Sequence, residues 1–152
     1  MKSTRLTLID TKRGKPVMIS VRGEQYFEET DPDSTELITE GTLLETAEGY
    51  FLSYEESELT GMAGTTTTFE LRGNQVILTR AGLVNSQMVF EQGKQHSSSY
   101  ETPYGDMSID ISTSLLEKEM TLAGGHMEIR YSIAVQHEVT GHNCFHISVR
   151  EK

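Results

Sequence analysis

The chemistry open to this chain centres on Arg80. The Gly73-Asn74 pair is a two-residue hairpin signal of the primed type. It pairs Arg72 with Gln75, then Leu71 with Val76, Phe69 with Leu78 and Thr67 with Arg80, which puts the arginine on the apolar face. A guanidinium there needs a carboxylate or several acceptors, because unpaired burial is prohibitively costly. "YFLSYEESELTG" offers a partner: if Tyr50, Leu52 and Tyr54 face inward, so does Glu56, and Glu40 is a second choice. Two readings follow. Arg80 receives an anionic or carbonyl group of a ligand, or it closes an internal Arg–Glu bridge or reaches water at a rim. On the first reading the ligand-binding candidates are Tyr54, Glu56, Arg80 and Met88, with Tyr100 and Tyr104 from "YETPYG".

Other chemistries find less support. Of the five histidines, His142 and His146 share an outer face, but four residues along a strand separate them by roughly 13 Å, too far for one ion. His137 is expected to face inward near the last turn, His126 outward, and His96 lies several strands away. Solvated histidines and no metal site are expected. Cys144 falls on the outer face with no basic or metal neighbour identified, as an inert thiol. No Gly-x-Ser-x-Gly elbow exists, "HSSSY" has no placed base, and "GMAGTTTT" leads into a strand rather than a phosphate-binding helix. No cofactor is implied. Carboxylates are plentiful (Glu55, Glu56, Glu58), but an acid–base pair also needs a cleft.

The elements that must position these residues are strands. Period-two alternation recurs in "VMISVRG", "TTTTFELRG", "MSIDIST", "HMEIRYSIAVQ" and "NCFHISVR", each with one apolar and one wet face. "DPDSTE" has the makings of one helical turn and "SLLEKEM" of a short helix, yet threonine, tyrosine and valine in the flanks favour strand or loop at least as much for both. For the last hairpin a three-residue Val139-Thr140-Gly141 loop is expected, pairing Val135 with Phe145 and Ile133 with Ile147. In "YETPYG", threonine before proline is held extended, Pro103 removes a donor, and Gly105 re-enters a strand. That reads as a tight corner, with the tyrosines left to cap or lean over a barrel end. About ten sequential antiparallel strands without crossover helices describe an all-β up-and-down barrel of 8–10 strands.

At 152 residues the chain is read as one barrel domain over 16–152 preceded by a basic extension over 1–15. The formal charge is −10. Residues 1–25 hold six bases against two acids, leaving seven bases against 21 acids for the rest, and residues 28–58 hold eleven carboxylates with no Lys or Arg. Such a surface repels phosphate backbones, so no nucleic-acid partner is expected. The lone cysteine favours a reducing compartment, and no stretch has the length of a membrane span or the pattern of a secretory signal. A cytoplasmic protein with no membrane partner is expected. Its oligomeric state is open, a homodimer included.

Several segments together resemble a known family: "EG" at Glu40-Gly41, "SYEESELTG" at Ser53–Gly61, the threonine run that follows, "ILTRAGLVNSQMVFEQGKQH" at Ile77–His96, "YETPYG", and "GG" at Gly124-Gly125. They resemble the bacterial YwiB-like proteins, a domain of unknown function with a calycin or lipocalin-like β-barrel. The resemblance spans about Val17 to Val149 and implies a closed or nearly closed antiparallel barrel. It carries no activity, ligand or catalytic residue. Three functions stand against one another: a non-enzymatic barrel binding a small apolar or amphipathic molecule, an enzyme using carboxylates and tyrosines at the barrel mouth, and an interaction module working through the acidic face or self-association. An interior packed shut by its own side chains would reject the first.

Overall fold

The computed structural model describes residues 14–26, 33–57, 62–82, 85–102 and 104–152, without the side chains of Tyr26, Asp33, Tyr100 and Thr102. Most of the basic extension, Pro103 and the start of "DPDSTE" lie outside the described residues. Ten strands follow in order: β1 (Lys15–Tyr26), β2 (Asp33–Glu45), β3 (Gly49–Glu55), β4 (Thr66–Arg72) and β5 (Gln75–Ala81), then β6 (Ser86–Glu91), β7 (Gln95–Thr102), β8 (Gly105–Thr121), β9 (Gly124–Val135) and β10 (Glu138–Glu151). No helix occurs among the described residues. The residues 33–36 of "DPDSTE" and all of "SLLEKEM" are strand, since each lies in a ladder that a helical turn would break.

All neighbours are antiparallel, in the order β6-β5-β4-β3-β2-β1-β10-β9-β8-β7. The first and last strands pair along ten residues, from Val17 opposite Glu151 to Tyr26 opposite His142, and this joins two meanders into one sheet. The sheet curls until β6 and β7 lie side by side, forming a nearly closed barrel. At this seam the turn between them satisfies the edge of β8. Gly93 N–H donates to the Thr113 carbonyl at 2.8 Å, Thr113 N–H to Lys94 at 3.2 Å, and Leu116 N–H to Gln92 Oε1 at 2.9 Å.

The Gly73-Asn74 hairpin has the expected register, with Thr67 opposite Arg80. The last hairpin does not. Its turn is Gln136-His137, both with positive φ (53° and 71°), and Phe145 pairs with Ile129 rather than Val135. The Thr140-Gly141 signal marks a bulge instead, with the register shifting between Val139 and Gly141. The displacement from Val135 to Ile129 is an even number of residues, so Phe145, Ile147 and Val149 keep their inward face. "YETPYG" is the corner expected, with Thr102 opposite Gly105 and Gly105 at φ 115°.

The interior divides along the barrel axis. One end is filled by Ile19, Leu43, Leu52, Leu78, Ile111 and Ile129, none more than 2% exposed. Close approach is built in at Gly41, where a Cβ would lie 2.4 Å from both Ile19 Cδ1 and the Ser53 carbonyl oxygen. Toward the other end the inward residues shrink or turn polar. β1 runs Val17, Ile19, Val21, Gly23, Gln25, and β10 runs Val149, Ile147, Phe145, Asn143. Such side chains cannot fill the barrel's width.

Candidate functional site

At that second end lies a cavity of about 870 Å³, within the range of small-molecule sites. Its floor is aromatic. Tyr131 packs with tilted rings at 5.7 Å against Phe145 and at 4.8 Å against Phe90, while Phe145 meets Phe69 edge-on at 6.2 Å. Phe69 and Phe90 belong to the packed core, so this layer separates the filled end from the hollow one. The walls among the described residues are mainly apolar, including Val21, Leu37, Met88, Met107, Ile133 and Val135.

One transverse row supplies the polar groups. Tyr54, Thr67, Arg80 and Ser86 are successive partners across β3, β4, β5 and β6. Alternation faces all four inward. Glu56 follows β3 by one residue, and its N–H donates to the Thr65 carbonyl at 2.8 Å, extending the ladder and aiming the carboxylate inward. The Glu56 side chain is 2% exposed and that of Arg80 18%, with Arg80 Nε 3.9 Å from Glu56 Oε2. That distance is an ion pair but not a hydrogen bond. Thr67 Oγ1 donates to Glu56 Oε2 at 2.5 Å, while Arg80 Nε is buried with no hydrogen-bond partner. The Tyr54 hydroxyl belongs to the same group. Burial pushes its pKa well above the ordinary phenol value, and the neighbouring Glu56 carboxylate adds to the shift. Tyr131 on the floor is raised likewise by burial.

Tyr54, Glu56, Arg80 and Met88 therefore converge on one cavity. Tyr104 does not join them: it is fully exposed at the corner between β7 and β8. The Tyr100 side chain lies outside the described residues. Glu40 is not the partner of Arg80, since it points outward and bridges Lys152 at 2.9 Å. Sequence reasoning passed over Thr67 as a carboxylate holder and over the lining from Val21, Leu37, Met107, Ile133 and Val135. The hairpin register already set Thr67 beside Arg80, and the parity of the lining was legible, but the grouping of that lining depends on β1 pairing with β10, which no hairpin signal encodes.

The outer wall corrects two expectations. His137 sits in the exposed turn, with Nδ1 3.3 Å from Asp110, rather than facing inward. Cys144 has neighbours: its Sγ is 3.2 Å from His146 Nε2, and Glu128, Cys144 and His146 place ligand atoms within 4.8 Å of one another. Glu128 is already engaged by Arg130 through Nε and a terminal nitrogen, each at 2.8 Å. Burial raises the Cys144 pKa, with Glu128 adding to the shift, so the group is a thiol and not an activated thiolate.

No helix among the described residues is long and apolar enough to cross a membrane. No curated protein matches the chain. Among solved structures, the ywiB protein from Bacillus subtilis is similar with a TM-score of 0.81 at 18% identity, covering 93% of this chain and 94% of that one. At this identity the likeness bears on the barrel alone. Residues 19–147 match a family described as "Domain of unknown function (DUF1934)", and the chain belongs to that family.

Proposed function

We propose that this protein is a non-enzymatic barrel that takes a small apolar or amphipathic molecule into its hollow end. The observation that carries the reading is the 870 Å³ cavity, apolar in most of its lining, with one buried polar group formed by Arg80, Glu56, Thr67 and Tyr54. Apolar walls contribute affinity through burial, and a few fixed polar groups set orientation. The enzyme alternative draws on the same convergence, but a phenol with a raised pKa is a poor nucleophile or base, and Glu56 is already held by Thr67. The self-association alternative has less to draw on. Ile38, Tyr104, Leu122 and Val139, the exposed large apolar side chains among the described residues, sit on four different segments. A cytoplasmic setting, from the lone cysteine, belongs to the same proposal.

Native mass spectrometry of the full chain, purified gently from its own cell, tests the reading. A retained small-molecule adduct that is diminished after Ile133→Trp, which narrows the cavity, is the expected result. An adduct carried equally by that variant would place the molecule elsewhere and reject it.

A further inference from the structure

Resting on that binding reading, we infer that the cavity selects a ligand whose polar end is uncharged and offers a hydrogen-bond acceptor beside a donor, as a carboxamide does. A carboxylate or an ammonium group fits less well. The polar locus is a cation and an anion side by side: Arg80 Nε lies 3.9 Å from Glu56 Oε2, and neither side chain is more than 18% exposed. Arg80 Nε is a buried donor with no hydrogen-bond partner, so a ligand acceptor brought to it removes a desolvation cost. Glu56 has lone pairs left after accepting from Thr67, and these call for a donor.

Charge decides against the simpler expectation of an anion on the arginine. Of the carboxylates that border the cavity, Glu56 is the one aimed at Arg80, while Glu24 turns outward to His146 and Arg22. A ligand carboxylate brought to Arg80 would meet Glu56 at close range in a water-poor site. Like charges in such surroundings repel strongly. A ligand ammonium brought to Glu56 would meet Arg80 in the same way. An amide group presents its carbonyl to Nε and its N–H to the carboxylate, pairs both, and leaves the ion pair in place. The lining from Met88, Met107, Ile133 and Val135 then receives the apolar body.

Isothermal titration of the full chain at pH 7 with octanamide, octanoate and octylamine, each carrying one saturated chain of seven or eight carbons, separates the cases. Octanamide binding at least tenfold tighter than either charged analogue is the expected result. Octanoate or octylamine binding as tightly as octanamide overturns the inference and leaves the binding reading intact. No heat from any of the three at millimolar ligand overturns both. A Glu56→Gln variant, shown to be folded by circular dichroism, removes the anion beside Arg80. Its expected signature is a tenfold or larger gain in octanoate affinity with octanamide changed by less than threefold. An unchanged octanoate affinity would overturn the role given to Glu56.

Discussion

Replacing Arg80 with methionine isolates what holds Glu56 inside the barrel. The Glu56 side chain is 2% exposed, with Thr67 Oγ1 at 2.5 Å, Arg80 at 3.9 Å and the Tyr54 hydroxyl beside it. Removing the guanidinium leaves a buried carboxylate supported by the Thr67 and Tyr54 hydroxyls, with no opposite charge. Breaking a fully buried pair in this way costs about 3–5 kcal/mol, and the 18% exposure of Arg80 puts the expectation at the low end, about 3 kcal/mol. For a chain of this size that corresponds to a melting-temperature drop of roughly 6–12 °C. Glu56→Met alone should cost less, about 1.5 kcal/mol, because the arginine has a path to water. The double variant removes both charges and should cost about 2 kcal/mol, so the cycle gives a coupling of about 2.5 kcal/mol. Urea unfolding followed by far-ultraviolet circular dichroism reads all four proteins. An Arg80→Met cost below about 1 kcal/mol with additive single effects would show that Glu56 does not depend on the pair, and the argument for a charge-balanced polar group would fall.

The two ends of the barrel should answer truncation differently. Phe69→Ala in the packed end should cost about 3–5 kcal/mol, whereas Met107→Ala on the cavity wall, which faces open space, should cost about 1 kcal/mol, both measured by urea unfolding. Gly41→Ala drives a Cβ to 2.4 Å from the Ser53 carbonyl oxygen, a backbone atom that cannot swing aside, so a loss of about 1–3 kcal/mol is expected in the same assay. Burial raises the pKa values of Tyr54 and Tyr131 in the folded state above the unfolded value near 10. The folded chain therefore holds protons that the unfolded chain releases, and this contribution to stability is complete below pH 10 and is lost as pH rises above it. Tyrosinate absorbance should show these two phenols ionising only as the chain unfolds; six tyrosines titrating together near pH 10 would contradict their burial.

Fold class was legible because period-two alternation ran through nearly every segment and no capped helical pattern competed with it. The β4–β5 hairpin was legible to the residue, since Gly-Asn fixes loop length and turn type together, and that register delivered Arg80 to the inside. The last hairpin misled. Gln-His carries no turn signature although both residues adopt positive φ, and the true Thr-Gly signal belongs to a bulge four residues on. Glu56 was found because a side chain's face depends only on counting along its own strand. Met107 and the β9 wall were not grouped with it, because that requires strand order around the barrel. Strand order is set by the β1–β10 pairing, a contact between chain ends with no local signal. The Cys144–His146 contact is similar in kind. Residues two apart on one strand share a face, yet their 3.2 Å approach depends on rotamers fixed by Glu24, Glu128 and Arg130 from neighbouring strands.

The hollow end is tested most directly by methyl-detected nuclear magnetic resonance of the full chain labelled at its seven methionines, titrated with octanamide. Met62, Met88 and Met107 line the cavity, while Met127 is buried at the filled end and Met18 lies on the opposite face of β1 from Val17 and Ile19. The expected result is a saturable shift of the Met62, Met88 and Met107 methyl signals with those of Met18 and Met127 unmoved. Methyl signals that stay in place at saturating ligand, or that move equally at Met127, would contradict a binding cavity at this end of the barrel.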